Sequence, residues 1–203
     1  MTQYTITRYL INAPGRVGGH IVKGIIRSAG KPVLHTHDPW YQTDDDSITC
    51  LILLDRRDVF AAVMSNAITW NSGQSTNYQR KTIEPFELSE QDFVDLYRAH
   101  IWHRDSVDLS RPWGNVVILY FEDFVNNHEH VLKTLGLQQN PELSRSPIIQ
   151  HLIENRAPYN YRDVIRNHEQ LLDAFERIQQ QDHPNPLRPQ EHNTTLKARE
   201  IFE

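Results

Sequence analysis

The chain has 203 residues, with 21 Lys and Arg against 26 Asp and Glu for a formal charge of −5, and 38% of its residues are hydrophobic. That length suffices for one core, no apolar run approaches the roughly 18 to 20 residues of a membrane span, and the first 15 residues lack the charged start and apolar middle of a signal peptide. A lone cysteine, Cys50, excludes an internal disulfide or thiolate cluster, and the mild acidity argues against general nucleic-acid binding, so a cytoplasmic protein with neither nucleic acid nor membrane as partner is expected.

The net charge hides an asymmetry. Residues 1 to 37 carry Arg8, Arg16, Lys23, Arg27 and Lys31 with no Asp or Glu, which gives +5 and leaves −10 for the other 166 residues. His20, His35 and His37 lie in the same stretch. A basic amino-terminal third on an acidic protein suggests a local anion site; a solvated face that is basic by chance is the alternative.

In chain order, short apolar runs alternate with helix-period segments, the pattern of βαβ units around a parallel sheet. Tyr9 to Ala13 reads as a first strand and Pro14 to Gly19 as a turn. A helix from about His20 to Ser28 follows, with Ile21, Ile25 and Ile26 on one face, stopped by Gly30 and Pro32. Val33 to His37 is a second strand, and Cys50 to Leu54 and Val116 to Phe121 are the next two, apolar as strands covered on both faces should be. Asp58 to about Trp70 is helical, with Ala61, Ala62, Ser65 and Thr69 forming a face of small residues. Residues 72 to 88 read as a long loop, and Ser89 with Asp92 as a capping box for a helix reaching Ser106. Phe124 to Leu135 is a further helix, ended by Gly136. A last amphipathic helix carries Val164, Ile165, Leu171, Leu172, Phe175 and Ile178. One α/β domain over residues 1 to 180 is expected, a three-layer parallel sheet flanked by helices, with a polar, Pro-containing tail over 181 to 203.

Three features carry chemistry. The segment Gly15-Arg16-Val17-Gly18-Gly19-His20, between strand and helix, can turn backbone N–H groups of the turn and helix start toward one anion. It lacks the Gly-Lys-Ser/Thr ending of a Walker A loop, so Arg16 supplies the charge and no hydroxyl is present for Mg²⁺. Arg57, at the end of the third strand, precedes Ser65 by eight residues, a pair able to clamp a second phosphate; a surface Arg paired with Asp55 or Asp58 is the alternative. His35 and His37, at the end of the second strand, place an imidazole within reach of a substrate hydroxyl as a general base. Histidines at i and i+2 point the same way, so a metal site competes with that reading, but no third ligand is evident from spacing.

Together these motifs resemble the sulfotransferases that use 3′-phosphoadenosine-5′-phosphosulfate (PAPS), a family with a P-loop-like architecture. Arg16 to His20 stands where that family has Arg/Lys-Ser-Gly-Thr-Thr, with Gly19 and His20 replacing hydroxyl residues. Arg57 and Ser65 are similar to its 3′-phosphate pair, and His35-Thr36-His37-Asp38-Pro39 is similar to its Lys-Thr-His-Leu-Pro. Phe121-Glu122-Asp123-Phe124 looks like its Tyr-Glu-Asp-Leu, and Tyr161 and Arg162 resemble a segment that closes over the nucleotide. The likeness spans about residues 9 to 136. It implies a sulfonate moved from PAPS to a hydroxyl or amine, with PAP as product and no metal. It further implies His37 as base, Arg16 and His35 offsetting charge on the leaving phosphate, and a small-molecule or carbohydrate acceptor. A homodimer is compatible with the sequence. A P-loop kinase of a small metabolite and an inactive PAP-binding protein are the competing readings. Tyr97, His100, Trp102 and His103 are expected to line the acceptor pocket.

Overall fold

The computed structural model describes residues 8–41, 48–73, 83–107, 109, 113–154 and 160–181. Its centre is a four-stranded, all-parallel sheet in the order β2-β1-β3-β4. The strands are β1 (Arg8–Asn12), β2 (Val33–Thr36), β3 (Ile48–Asp55) and β4 (Asn115–Tyr120), so the α/β class read from the alternating pattern is correct. The helix α1 (Gly19–Ser28) links β1 to β2, and α2 (Val59–Ser72) with α3 (Glu90–Ser106) links β3 to β4.

Alternation along the strands explains the layering. Tyr9, Ile11, Cys50, Ile52 and Leu54 face one side, where α1 buries Ile21, Val22, Ile25 and Ile26 against them. Leu10 and Leu51 face the other, with Leu34, Leu53, Val116 and Trp113. On α2 and α3, Phe60, Met64, Phe93 and Tyr97 gather around Leu171 and Phe175 in a second cluster. Asp58 caps α2 by accepting from the Ala61 N–H at 2.8 Å. Ser89 Oγ caps α3 by accepting from the Asp92 N–H, and it donates in turn to the Asp92 carboxylate.

The structure corrects three readings. The helix expected over Phe124 to Leu135 is broken into α4 (Phe121–Phe124) and α5 (His128–Thr134), because Asn127 caps a new start by accepting from His130 N. The short α6 (Pro141–Ser144) and α7 (Pro147–Glu154) follow; neither was anticipated. The last amphipathic helix is also divided, into α8 (Tyr161–Val164) and α9 (His168–Gln181). Ile165 leaves the helix to pair with Phe86 in an isolated parallel bridge, and Asn167 clamps both the N–H and the C=O of Leu88. A local apolar period cannot register such a long-range competitor for the backbone. Most of the loop expected over 72 to 88, and the tail beyond 181, lie outside the described residues. No described helix is long and apolar enough to cross a membrane.

Candidate functional site

The chain leaves β1 toward β2 on one side and β3 toward β4 on the other, so the carboxyl ends of β1 and β3 flank a topological switch point, where parallel sheets open a crevice. The turn after β1 and the ends of β2 and β3, singled out from the sequence as chemistry, lie at this edge, whereas Tyr97, expected at an acceptor pocket, is buried in the second cluster against Phe175. The turn after β1 supplies Gly15 to Gly18, β2 delivers His35 and His37, and β3 delivers Asp55, Arg56 and Arg57.

The turn is shaped for close approach. Arg16 has φ 69°, the left-handed region that a non-glycine residue enters at roughly 1 to 2 kcal/mol, and Gly18 has φ 85°. A Cβ on Gly18 would also come within 2.8 Å of the Phe124 ring, so conformation and packing both demand glycine there. Gly18 is the N-cap of α1 without any side-chain cap, and its carbonyl takes the Ile21 and Val22 N–H groups, leaving those of Gly19 and His20 ahead of the ladder. Val17 between them is fully buried and anchors the turn.

Arg16 is the centre of the arrangement. It is half-buried, and its Nε donates to Ser65 Oγ on α2 at 3.2 Å. Among the described residues no carboxylate pairs with it. Burial, then the neighbouring Arg56 charge, pushes its pKa down. An uncompensated guanidinium at a helix N-terminus is a site waiting for an anion. Gly15 lies against Asn66 of α2, where a Cβ would meet Oδ1 at 3.2 Å.

The structure thus joins Ser65 to Arg16, while Arg57 makes a bidentate pair with Asp123 at 2.6 and 2.7 Å and stacks on Tyr120 at 4.3 Å. The residue that sequence reasoning missed is Arg56. Its guanidinium lies over the Phe121 ring at 4.7 Å and reaches Glu122 only at 3.8 Å, with Nε buried and unpartnered. Its pKa is lowered by burial against the opposing pull of Asp58, Glu122 and Tyr161. Arg16, Arg56, Ser65 and Tyr161 therefore share one neighbourhood, whereas the side chain of Arg162 is turned to solvent over the Tyr161 ring at 5.8 Å. Which of two adjacent arginines turns inward is decided by Asp123, and that no spacing rule could reveal.

The histidines form a chain across the mouth. His20 and His35 have ring centroids 5.3 Å apart, and His35 and His37 4.6 Å. His35 packs over the first turn of α1, so a Cβ on Gly19 would collide with its imidazole. Burial, and then the positive neighbours His37, His20 and Lys23, push the His35 pKa down to about 3. His20 is lowered by burial, Lys23, His37 and Arg16. Both rings are therefore neutral at neutral pH. His37 is exposed, and its Nδ1 sits 2.7 Å from the Ala13 carbonyl. A carbonyl only accepts, so Nδ1 carries the hydrogen and Nε2 of the neutral ring keeps its lone pair.

Beyond His37, α3 presents His100 and His103, both buried. His100 Nε2 lies 3.8 Å from Asp55 Oδ1, and Arg104 lies 3.7 Å from Oδ2. Burial, then His37 and His100, outweighs the pull of the His37 backbone and Asp38 and lowers the His103 pKa to about 4. Among the described residues no group of three or more His, Cys, Asp or Glu is arranged to hold a metal ion. Comparison with protein-family models and with curated proteins finds no match for this chain.

Proposed function

We propose that this protein is a PAPS-dependent sulfotransferase acting on a hydroxyl. The observation that carries the reading is Arg16: a half-buried cation with one neutral partner, on a left-handed turn that opens onto the bare start of α1. His37, one loop away, has Nδ1 donating to the Ala13 carbonyl, so in its neutral form Nε2 carries the lone pair. The residues fit the donor, because the turn, Arg16 and Arg56 form two adjacent cationic positions for its two phosphate-bearing ends.

The division of labour follows from these groups. PAPS supplies the sulfonate and, when its S–O bond breaks, PAP keeps the electron pair. Arg16 and the Gly19 and His20 N–H groups hold the 5′ end and offset charge growing on the leaving oxygen. His35, neutral and seated on Gly19, donates one hydrogen bond there. Arg56 and Ser65 take the 3′-phosphate, with Arg57 holding Asp123 beside them and Tyr161 closing the adenosine side. His37 Nε2 takes the proton as the acceptor oxygen bonds to sulfur. The sequence of the loop favours this over phosphoryl transfer, since Arg16 and Gly19-His20 stand where a kinase needs Lys and a Mg²⁺-binding hydroxyl.

Calorimetric titration with PAP and with ATP, with and without EDTA, followed by a turnover assay with PAPS, tests the proposal. Tight PAP binding that ignores EDTA, with turnover, is expected. Preference for ATP or a Mg²⁺ requirement favours the kinase, and PAP binding without turnover against a broad hydroxyl panel favours a binding protein.

A further inference from the structure

We propose that Lys23 and Arg27, on the solvent-facing row of α1, bind a phosphate monoester carried by the acceptor. That the acceptor carries it rests on the sulfotransferase reading; the phosphate contact does not. Seven of the ten residues of α1 are buried, and those that reach solvent are His20, Lys23 and Arg27. Their spacing of three and then four residues puts them in one row. The row holds no acid, and among the described residues no carboxylate pairs with Lys23 or Arg27. Like charges at i and i+4 oppose each other, so the arrangement works against the helix. Arg27 is accounted for by its place in the last turn, where a cation suits the helix dipole. Lys23 is not. It lies mid-helix and half-buried, and burial, then the Arg27 charge, pushes its pKa down.

Side chains on a helix lean toward its amino end. Lys23 follows Gly19 by four residues and His20 by three, and the space beside Gly19 where a side chain would stand is taken by the His35 ring. The Lys23 stem therefore runs toward both imidazoles, and its charge helps to lower the pKa of each. Arg27 leans toward Lys23 in turn. His20 feels Arg16 as well as Lys23, so a neutral imidazole neighbours two cationic positions. The donor uses the first of these, where Arg16 Nε turns to Ser65 of α2. The second is left without a role, and His35, which feels it, has its ring 4.6 Å from that of His37.

Charge and donor count select the occupant. Two cations without counter-charges match a dianion, and an ammonium and a guanidinium, which only donate, match oxygens that only accept. A phosphate monoester brings three such oxygens and close to two negative charges at neutral pH. A carboxylate or a sulfate ester brings one charge and leaves one cation unmatched. A long polyanion needs the row to continue, yet α1 ends at Ser28 and the chain turns through Gly30, at φ 73°. The acceptor is then a small hydroxyl compound whose phosphate rests on α1 while its hydroxyl meets His37.

The test is calorimetric titration of the full chain saturated with PAP, which fills the donor's phosphate positions. The probes are glycerol and glycerol 3-phosphate, glucose with its 6-phosphate and 6-sulfate, and inorganic tripolyphosphate. Each phosphate ester should bind roughly tenfold or more tightly than its neutral parent, and several-fold more tightly than the sulfate ester. Lys23→Gln should remove that preference, Lys23→Arg should keep most of it, and Arg27→Gln should lose part. Lys31→Gln, beyond the end of α1, should leave the titration unchanged. Equal affinity for ester and parent, no preference over the sulfate ester, or a preference that survives Lys23→Gln overturns the proposal. Tripolyphosphate binding that Lys31→Gln weakens as much as Lys23→Gln assigns the row to an extended polyanion and overturns it too. Lys23-dependent preference for the phosphate esters in a chain that does not bind PAP overturns the sulfotransferase reading alone. PAP binding and turnover without any ester preference overturns the phosphate site alone.

Discussion

Replacing Arg16 by glycine should move stability and ligand affinity in opposite directions. The residue holds φ 69° at a cost of roughly 1 to 2 kcal/mol, which glycine does not incur. Removing its charge also ends the repulsion with Arg56 that, after burial, lowers its pKa. Against this stand the lost bond to Ser65, about 0.5 to 1.5 kcal/mol, and the greater freedom of glycine in the unfolded chain, of order 0.5 to 1 kcal/mol. These terms nearly cancel before charge desolvation is counted; relief of the half-buried, unpaired cation tips the balance toward a free protein more stable by about 1 kcal/mol. For a chain of this size that is a rise of roughly 2 to 4 °C in Tm. PAP affinity should meanwhile fall by roughly 10- to 150-fold, the worth of a charge-assisted contact of about 1.5 to 3 kcal/mol. Arg16→Ala separates the two effects, because it loses the same affinity while retaining the left-handed strain and so gains less stability than the glycine variant. Differential scanning fluorimetry and PAP calorimetry on both variants read this out. A glycine variant that melts lower than the alanine variant, or that binds PAP as the parent does, would refute the reasoning.

Other expectations follow from the same edge of the sheet. His37→Ala should lower turnover by roughly 10² to 10⁴-fold and leave PAP affinity nearly unchanged; normal turnover would remove His37 as the base. Arg56→Ala should weaken PAP more than Arg57→Ala and spare adenosine 5′-phosphosulfate, which lacks the 3′-phosphate, whereas a larger loss from Arg57→Ala would return the phosphate to the arginine now paired with Asp123. Gly19→Ala should be destabilising through its collision with His35, and His35→Ala introduced on top should recover part of the loss, a coupling measurable in a double-mutant cycle. The lowered His35 and His103 pKa values mean that the unfolded chain takes up protons first as the pH drops from about 6.5. Stability should therefore be full above pH 6.5 and decline from there toward pH 4, by at most about 1.4 kcal/mol per pH unit for each imidazole, and His103→Gln should flatten that slope.

The sequence made the layering legible because a strand covered on both faces must be apolar throughout, as Ile11 and Cys50 to Leu54 are, and because Gly18 and Gly30 mark the two ends of α1. It made the site's address legible for the same reason: turns after parallel strands share one edge. What remained hidden was set by partners distant in the chain. Asp123 chooses between Arg56 and Arg57 from 66 residues beyond the latter, and Asn167 interrupts a helical period by gripping Leu88 from 79 residues away. The meeting of Trp40 with Trp102 is of the same kind.

The histidines and arginines at this edge are better understood jointly than singly. Burial keeps His20 and His35 neutral, and it does so beside Arg16, so each imidazole that stays uncharged leaves the cationic potential concentrated on the guanidinium and the helix start. Were these rings protonated, they would compete with Arg16 for the same anion and place a positive charge next to His37, opposing its uptake of a proton. Neutral rings avoid both effects, and each keeps one N–H able to donate. The sulfotransferase reading therefore requires opposite environments for neighbouring histidines, a dry one for His35 over Gly19 and an open one for His37, and the packing provides that contrast over ring centroids 4.6 Å apart.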